Sequence, residues 1–323
     1  MITYNGNVLN CGGWLNAVPT PYPTTLPEKT LRCRFMEGET PVTTRGTWTR
    51  VVGVEDNLWD VYYVNNNWST LLNGEYALEE VVAAGDLSSI TVVGGLFNNC
   101  IHLDSVCNLN LPSVKNASEM LRGCSVLRNA PDIIFGNELS NMNKMFYGCS
   151  RITTIPQYNT SSVTSMAQLF YGCTSLNHVP DINTSNVVDM SSMFEQCRSL
   201  VAAPMMDTGK VTNMSSMFIS CTNLVTARLY NTSRVTNMNH MYSNCAKLTN
   251  VPLYDTRMVD DVSFMFSFCE AVEGGALALY QQMSTQQYTP TSHSACFSNC
   301  GSLTTSGAAE LAQIPTSWGG TMS

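Results

Sequence analysis

The chain has 323 residues and a formal net charge of −8, with 12% charged and 44% hydrophobic residues. That length holds two domains. The balance lacks the basic face that nucleic-acid binding requires, and no apolar run of about 18 residues is present to span a bilayer. Acidic residues concentrate at the front: residues 1–89 hold 5 Lys/Arg against 10 Asp/Glu, and residues 90–270 hold 11 against 12.

The first twenty residues, MITYNGNVLNCGGWLNAVPT, have no basic start leading into a short apolar core, so no secretory signal is expected there. Pro19, Pro21, Pro23 and Pro27 mark an extended Pro/Thr-rich arm. Residues 31–35 then alternate at period 2, and residues 48–54 and 59–64 are aromatic and β-branched, which predicts strands of a small β module. Asn57 and the run 65–67 supply turns. Residues 71–84, with Glu79 and Glu80, read as a short helix that caps the open end of the next segment.

From residue 100 a cysteine recurs at 124, 149, 173, 197, 221, 245 and 269, with a spacing of 24 broken once by 25. A period of that size predicts a solenoid of stacked rungs. Other positions repeat in phase. Val187, Met190, Met193, Phe194, Cys197 and Leu200 are matched one period on by Val211, Met214, Met217, Phe218, Cys221 and Leu224. The i, i+3, i+4 spacing predicts one apolar face of a short helix or 3-10 turn. A short strand comes next, ending near a proline, because proline has no N–H for a ladder. A second column (Asn159-Thr160, Asn183-Thr184, Asp207-Thr208, Asn231-Thr232, Asp255-Thr256) is expected to close turns and cap helices rather than bind calcium.

Thirteen cysteines invite a disulfide or metal reading. Each column cysteine lies on the apolar face, three residues after the aromatic position, and no C-x-x-C pair occurs. The expectation is a ladder of buried reduced thiols, with no metal and no cofactor.

The segments at 183–200, 211–224 and 235–248 (NTSNVVDMSSMFEQCRSL, VTNMSSMFISCTNL, VTNMNHMYSNCAKL) resemble the BspA-like bacterial leucine-rich-repeat family, over roughly residues 90–303. The resemblance implies a leucine-rich-repeat-like solenoid used for adhesion or protein–protein contact, with no catalytic residues. The stretch TLRCRFMEGETPV, with NLWDVYYVNNNWSTLLNG, is also similar to modules that precede such repeats in tail proteins of phages from gut bacteria.

Beyond Cys269 the next rung cysteine is Cys300, and residues 274–287 and 308–312 are expected to be helical. The organisation is therefore a β-rich docking module over 1–88, an eight-rung solenoid over 89–270, and an irregular last rung with a C-terminal cap over 271–323.

Candidate recognition residues are the variable strand positions Asn177, His178, Asp181, Thr226, Arg228 and Asn250. One further column, Tyr158, Ile182, Met206, Tyr230 and Tyr254, reads either as a stripe for stacking on sugars or a partner, or as an inward column completing the core. Its uniform apolarity favours the core. Tyr158, Tyr230 and Tyr254 stay among the candidates.

No catalytic residue is expected. Asp181, Asp189, Asp207, Asp255, Asp260 and Asp261 are the carboxylates to weigh for glycoside hydrolysis, and they fall in turns or on polar faces. The four histidines occupy different columns and no G-x-S-x-G is present. The reading is a non-enzymatic phage virion protein, tail-associated or a fibre or decoration protein. It would dock to other virion proteins through residues 1–88 and meet a host glycan or protein through the solenoid, with self-association into a homo-oligomer compatible. A bacterial cell-surface adhesin is the alternative, and a polysaccharide-degrading tailspike-type enzyme the third.

Overall fold

The structure, a computed structural model, describes residues 2–4, 7–9, 25–42, 45–51, 57–285 and 289–322, the first two stretches through their backbone alone. Pro19, Pro21 and Pro23 of the proline-rich arm, and residues 52–54 of the second expected strand, lie outside the described residues. The chain divides into two compact units, residues 1–162 and 163–323.

In the first unit, β1 (Ile2–Tyr4) and β2 (Asn7–Leu9) pair antiparallel. A five-stranded sheet comes next, from β3 (Thr30–Phe35), β4 (Thr47–Arg50), β5 (Leu58–Tyr62), β6 (Leu78–Ala84) and β7 (Ser105–Val106), in the order β4-β5-β3-β6-β7. The strands expected at 31–35, 48–54 and 59–64 are β3, β4 and β5. Strand β3 is central and buried, with Leu31, Cys33 and Phe35 fully covered. The charges between them are paired across the sheet: Arg32 makes a two-pronged contact with Asp60 of β5, at 2.7 and 2.8 Å, and Arg34 pairs with Glu80 of β6. A buried guanidinium needs such a matched carboxylate to offset its lost hydration.

Residues 71–84 are not a helix. Residues 71–74 are turns and 78–84 form β6, antiparallel to β3 and parallel to β7. Val81 and Val82 suit a strand, and pairing on both edges outweighs the helix preference of Glu79 and Glu80. Strand β6 also belongs to a rung. Bridges link Asn67 to Val92, Val92 to Asn116 and Asn116 to Asn141, so the stack starts at Asn67, earlier than the cysteine series marks. In that first rung Leu72 takes the aromatic position and buried Glu75 the cysteine position, its carboxylate accepting from the Val42 amide at 3.0 Å.

The rung itself is built from turns. Starting at Asp189, the amides of Met193, Glu195 and Cys197 donate three residues back, to the carbonyls of Met190, Ser192 and Phe194. The intervening amides of Met190, Ser192, Phe194 and Gln196 donate to Asn213, Ser215, Met217 and Ile219 of the next rung, at 2.8–3.0 Å. The Ser191 amide is taken by the Asp189 carboxylate at 2.9 Å. No amide from 190 to 197 is left over, which is what a buried backbone demands.

The alternation requires a left-handed residue at every fourth position, Ser192 (φ 53°) and Gln196 (φ 62°) here. Such a residue at the third place of a turn is the type II geometry. The expected helix or 3-10 turn is thus a chain of turns, which buries residues at the same i, i+3, i+4 spacing. The expected strand is a paired one in β8 (Leu109–Leu111) with β9 (Ile133–Phe135). In the second unit it shrinks to single bridges, Ala202 to Thr226 and Asn250 to Gly274.

The core of the second unit is a column of stacked rings: Phe170, Phe194, Phe218, Tyr242, Phe266 and Phe297, with centroids 5.3–6.2 Å apart. The helices expected after Cys269 are α1 (Ala276–Thr285) and α2 (Thr305–Leu311). Glu310 of α2 accepts from the Gly275 and Leu277 amides at the start of α1. A 3-10 turn at Thr316–Trp318 finishes the stack, where the Trp318 carbonyl takes the Phe297 amide at 2.9 Å.

Candidate functional site

Each inward column of the rung is occupied by packing and backbone satisfaction. The twelve described cysteines are all buried thiols. Those of the ladder donate to a carbonyl of the preceding rung: Cys197 to Phe170, Cys221 to Phe194, Cys245 to Phe218 and Cys269 to Tyr242, at 3.0–3.2 Å. Burial pushes these thiols up, to about 12 for Cys100 and Cys269, so they are held protonated and unreactive. Among the described residues no cluster of three or more His, Cys, Asp or Glu is placed to hold a metal ion.

The Asn/Asp-Thr column closes turns as expected, although no helix comes after it. Asn183, Asp207, Asn231 and Asp255 each accept from the amide two residues on. The buried hydroxyls of Thr184, Thr208 and Thr232 donate to the next rung's carbonyl at 2.8–2.9 Å. A second capping column, which the sequence pattern did not reveal, stands at the rung start, where Asn213, Asn237 and Asp261 repeat the role of Asp189. Of the aspartates weighed for hydrolysis, Asp189, Asp207, Asp255 and Asp261 serve as these caps.

Three of the candidate recognition residues are corrected. Tyr158, Tyr230 and Tyr254 are buried, and each hydroxyl donates to a carbonyl one rung back: Pro131, Pro204 and Arg228, at 2.6–2.9 Å. Each phenol so supplies a side-chain bond between successive rungs. Asn250 is also engaged, since its amide group accepts from the Ala227 N–H and donates to the Ala227 carbonyl.

Asn177, His178, Asp181, Thr226 and Arg228 are exposed, and the Arg228 guanidinium reaches the Ala203 carbonyl at 2.6 Å. Sequence reasoning missed their apolar neighbours. Met205, Leu229 and Leu253 share one column and are 58%, 70% and 54% exposed. Their signal was present: they immediately precede the column of half-buried Met206 and buried Tyr230 and Tyr254, and neighbouring residues in an extended segment face opposite ways. Next to Leu253 an open depression of about 410 Å³ is lined by Tyr254, Asp255, Arg257 and Gln282.

These features define a repeat protein whose inward columns, among the described residues, are taken up by packing and by hydrogen bonds between rungs. Three successive stretches, residues 49–152, 136–224 and 202–306, match the family described as "Mycoplasma protein of unknown function, DUF285". They span most of the chain, which belongs to that family. Among solved structures, a leucine-rich repeat protein of T. pallidum (TpLRR) is similar at 18% identity over 79% of this chain and 99% of that one, with a TM-score of 0.37. No curated protein matches the chain.

Proposed function

We propose that the chain is a leucine-rich-repeat-like solenoid of the BspA-like kind, acting as a non-enzymatic attachment protein. In this reading the N-terminal sheet docks it to a bacteriophage particle, and the outer positions of the rungs contact the host surface. The observation that carries recognition is the contrast between adjacent columns. Tyr230 and Tyr254 are covered and Met206 half-buried, while Met205, Leu229 and Leu253 line up in solvent beside exposed polar residues. An exposed apolar stripe rimmed by polar groups is the usual form of an interaction surface. The buried thiol ladder suits synthesis in a reducing cytoplasm, where phage proteins assemble.

The test uses full-length protein. Antibody against it should label purified particles, and labelled protein should bind host envelopes, with binding reduced several-fold by Leu229→Ser together with Leu253→Ser. Recovery in host membrane fractions from phage-free cells would overturn the virion setting. The family's description as a Mycoplasma protein favours a second reading, the same surface displayed by a bacterial cell, and that fractionation separates the two.

A further inference from the structure

Two aromatic residues occupy positions that the repeat gives to small or polar side chains. Phe264 and Phe268 lie at the two left-handed places of their rung, with φ 57° and 58°. In the preceding rungs these places hold Ser192 and Gln196, Ser216 and Ser220, then His240 and Asn244. A bulky residue costs about 1 kcal/mol or more in left-handed backbone. Each ring nevertheless keeps a large exposed part, at 38% and 47%.

The backbone of both is tied to the next rung, and the Phe264 ring has a stacking partner. The Phe264 and Phe268 amides donate to Ser294 and Ser298 of the next rung at 3.0 and 2.7 Å, and the His240 ring stacks on Phe264 at 4.7 Å, nearly parallel. Polar groups flank the rings. Asn244 and Asn299 occupy the rung positions on either side of Phe268, and the His240 Nδ1 is a buried nitrogen with no hydrogen-bond partner.

We infer that Phe264, Phe268, His240 and the flanking Asn244 and Asn299 form a saccharide-binding site for a neutral hexopyranose chain. This rests on the recognition reading above and adds to the Met205–Leu229–Leu253 column a second contact point, on the turn segment of the rung. Size decides the occupant. A fully exposed aromatic side chain offers about 200 Å², so two partly exposed ones offer less than that in total. A stable protein partner covers roughly 800 Å² on each side. A sugar ring needs one aromatic face for its C–H groups and amide groups at the edge for its hydroxyls, which the exposed Asn244 and Asn299 offer, while the His240 ring backs Phe264.

The experiment is saturation-transfer NMR on the full chain with maltotriose, cellotriose and chitotriose as probes, comparing wild type with Phe264→Ser/Phe268→Ser. Serine already stands at the equivalent positions 192, 216 and 220, so the variant is expected to fold, which its circular dichroism and melting curve check. The expected result is transfer to the C–H protons of at least one trisaccharide, weakened about tenfold or more in the variant. Equal transfer to both proteins overturns the site and leaves surface recognition standing. No transfer to any probe overturns it as well, and envelope binding by the same wild-type protein then shows whether the recognition reading survives. Concentration-dependent self-association that the variant abolishes would make a second copy the occupant, and also overturns it.

Discussion

Replacing Cys221 tests whether the thiol column works by packing. Its side chain is fully buried and its Sγ donates to the Phe194 carbonyl at 3.0 Å. Cys221→Ala removes one methylene-sized buried group, worth about 0.8 kcal/mol in transfer. The space left, roughly 25 Å³ at about 24 cal/mol per Å³, adds about 0.6 kcal/mol. The lost weak hydrogen bond adds about 0.5 kcal/mol, a low figure because the carbonyl keeps the Cys197 amide at 3.0 Å. The expected destabilisation is about 2 kcal/mol, and Cys221→Ser, which buries a hydroxyl on a shorter bond in place of the thiol, should cost about as much or more. Urea denaturation monitored by far-UV circular dichroism measures both. Alanine within about 0.5 kcal/mol of wild type, or an aromatic disulfide reagent titrating this thiol in the native protein as fast as in urea, would refute the packing account.

Burial holds the folded thiols protonated above their ordinary value of 9.0, so the native chain binds more protons than the unfolded one once pH exceeds 9. Stability is then full below about pH 9 and falls as pH rises toward 12, with a slope of several protons, readable as alkaline unfolding under reducing conditions. Burial likewise raises the half-buried Glu195 carboxyl, which makes its ionised form a liability at neutral pH. Glu195→Gln should therefore raise the melting temperature at pH 7 and lose that advantage as pH drops below the raised value. Tyr254→Phe strips a hydroxyl shared by the Arg228 carbonyl at 2.6 Å and the Tyr242 hydroxyl at 2.8 Å, and should cost about 2 kcal/mol in the same urea assay while leaving envelope binding intact. Gly136→Ala would set a Cβ 2.0 Å from the Pro112 carbonyl of the rung before, and should cost about 2 kcal/mol or more.

The repeat was legible because its inward columns are chemically uniform: a cysteine every 24 residues, with methionine, an aromatic and leucine in phase, can only face a common core. The local conformation was not, because a helix and a chain of type II turns bury the same i, i+3, i+4 positions. The discriminating sign lay in the residue before six of the nine rung cysteines. Asn99, Gly123, Gly148, Gly172, Asn244 and Asn299 are the types that tolerate left-handed backbone, as their positive φ values show. The first rung escaped the cysteine ruler because Glu75 stands in the cysteine place and a strand of the sheet doubles as its extended segment. The surface was half legible. Asn177, His178, Asp181, Thr226 and Arg228 are exposed, yet Asn250 is drawn into a rung-to-rung contact, and the tyrosines face inward and bond carbonyls one rung back. Side-chain use of that kind depends on the neighbouring rung, which one repeat read by itself does not display.

The hydrogen bonds between the turn segments of successive rungs have one more property, a direction. From the capping residue to the cysteine, the amides that leave a rung donate toward the later one, as Phe97 does to Met120 and Phe194 to Met217. Such a stack is a polar polymer: a cut through its turn segments offers N–H groups on one side and C=O groups on the other. A chain severed between rungs would carry complementary ends, the arrangement that lets copies add head to tail without limit. Trp318, whose carbonyl receives the Phe297 amide, is therefore a chain terminator as much as a lid.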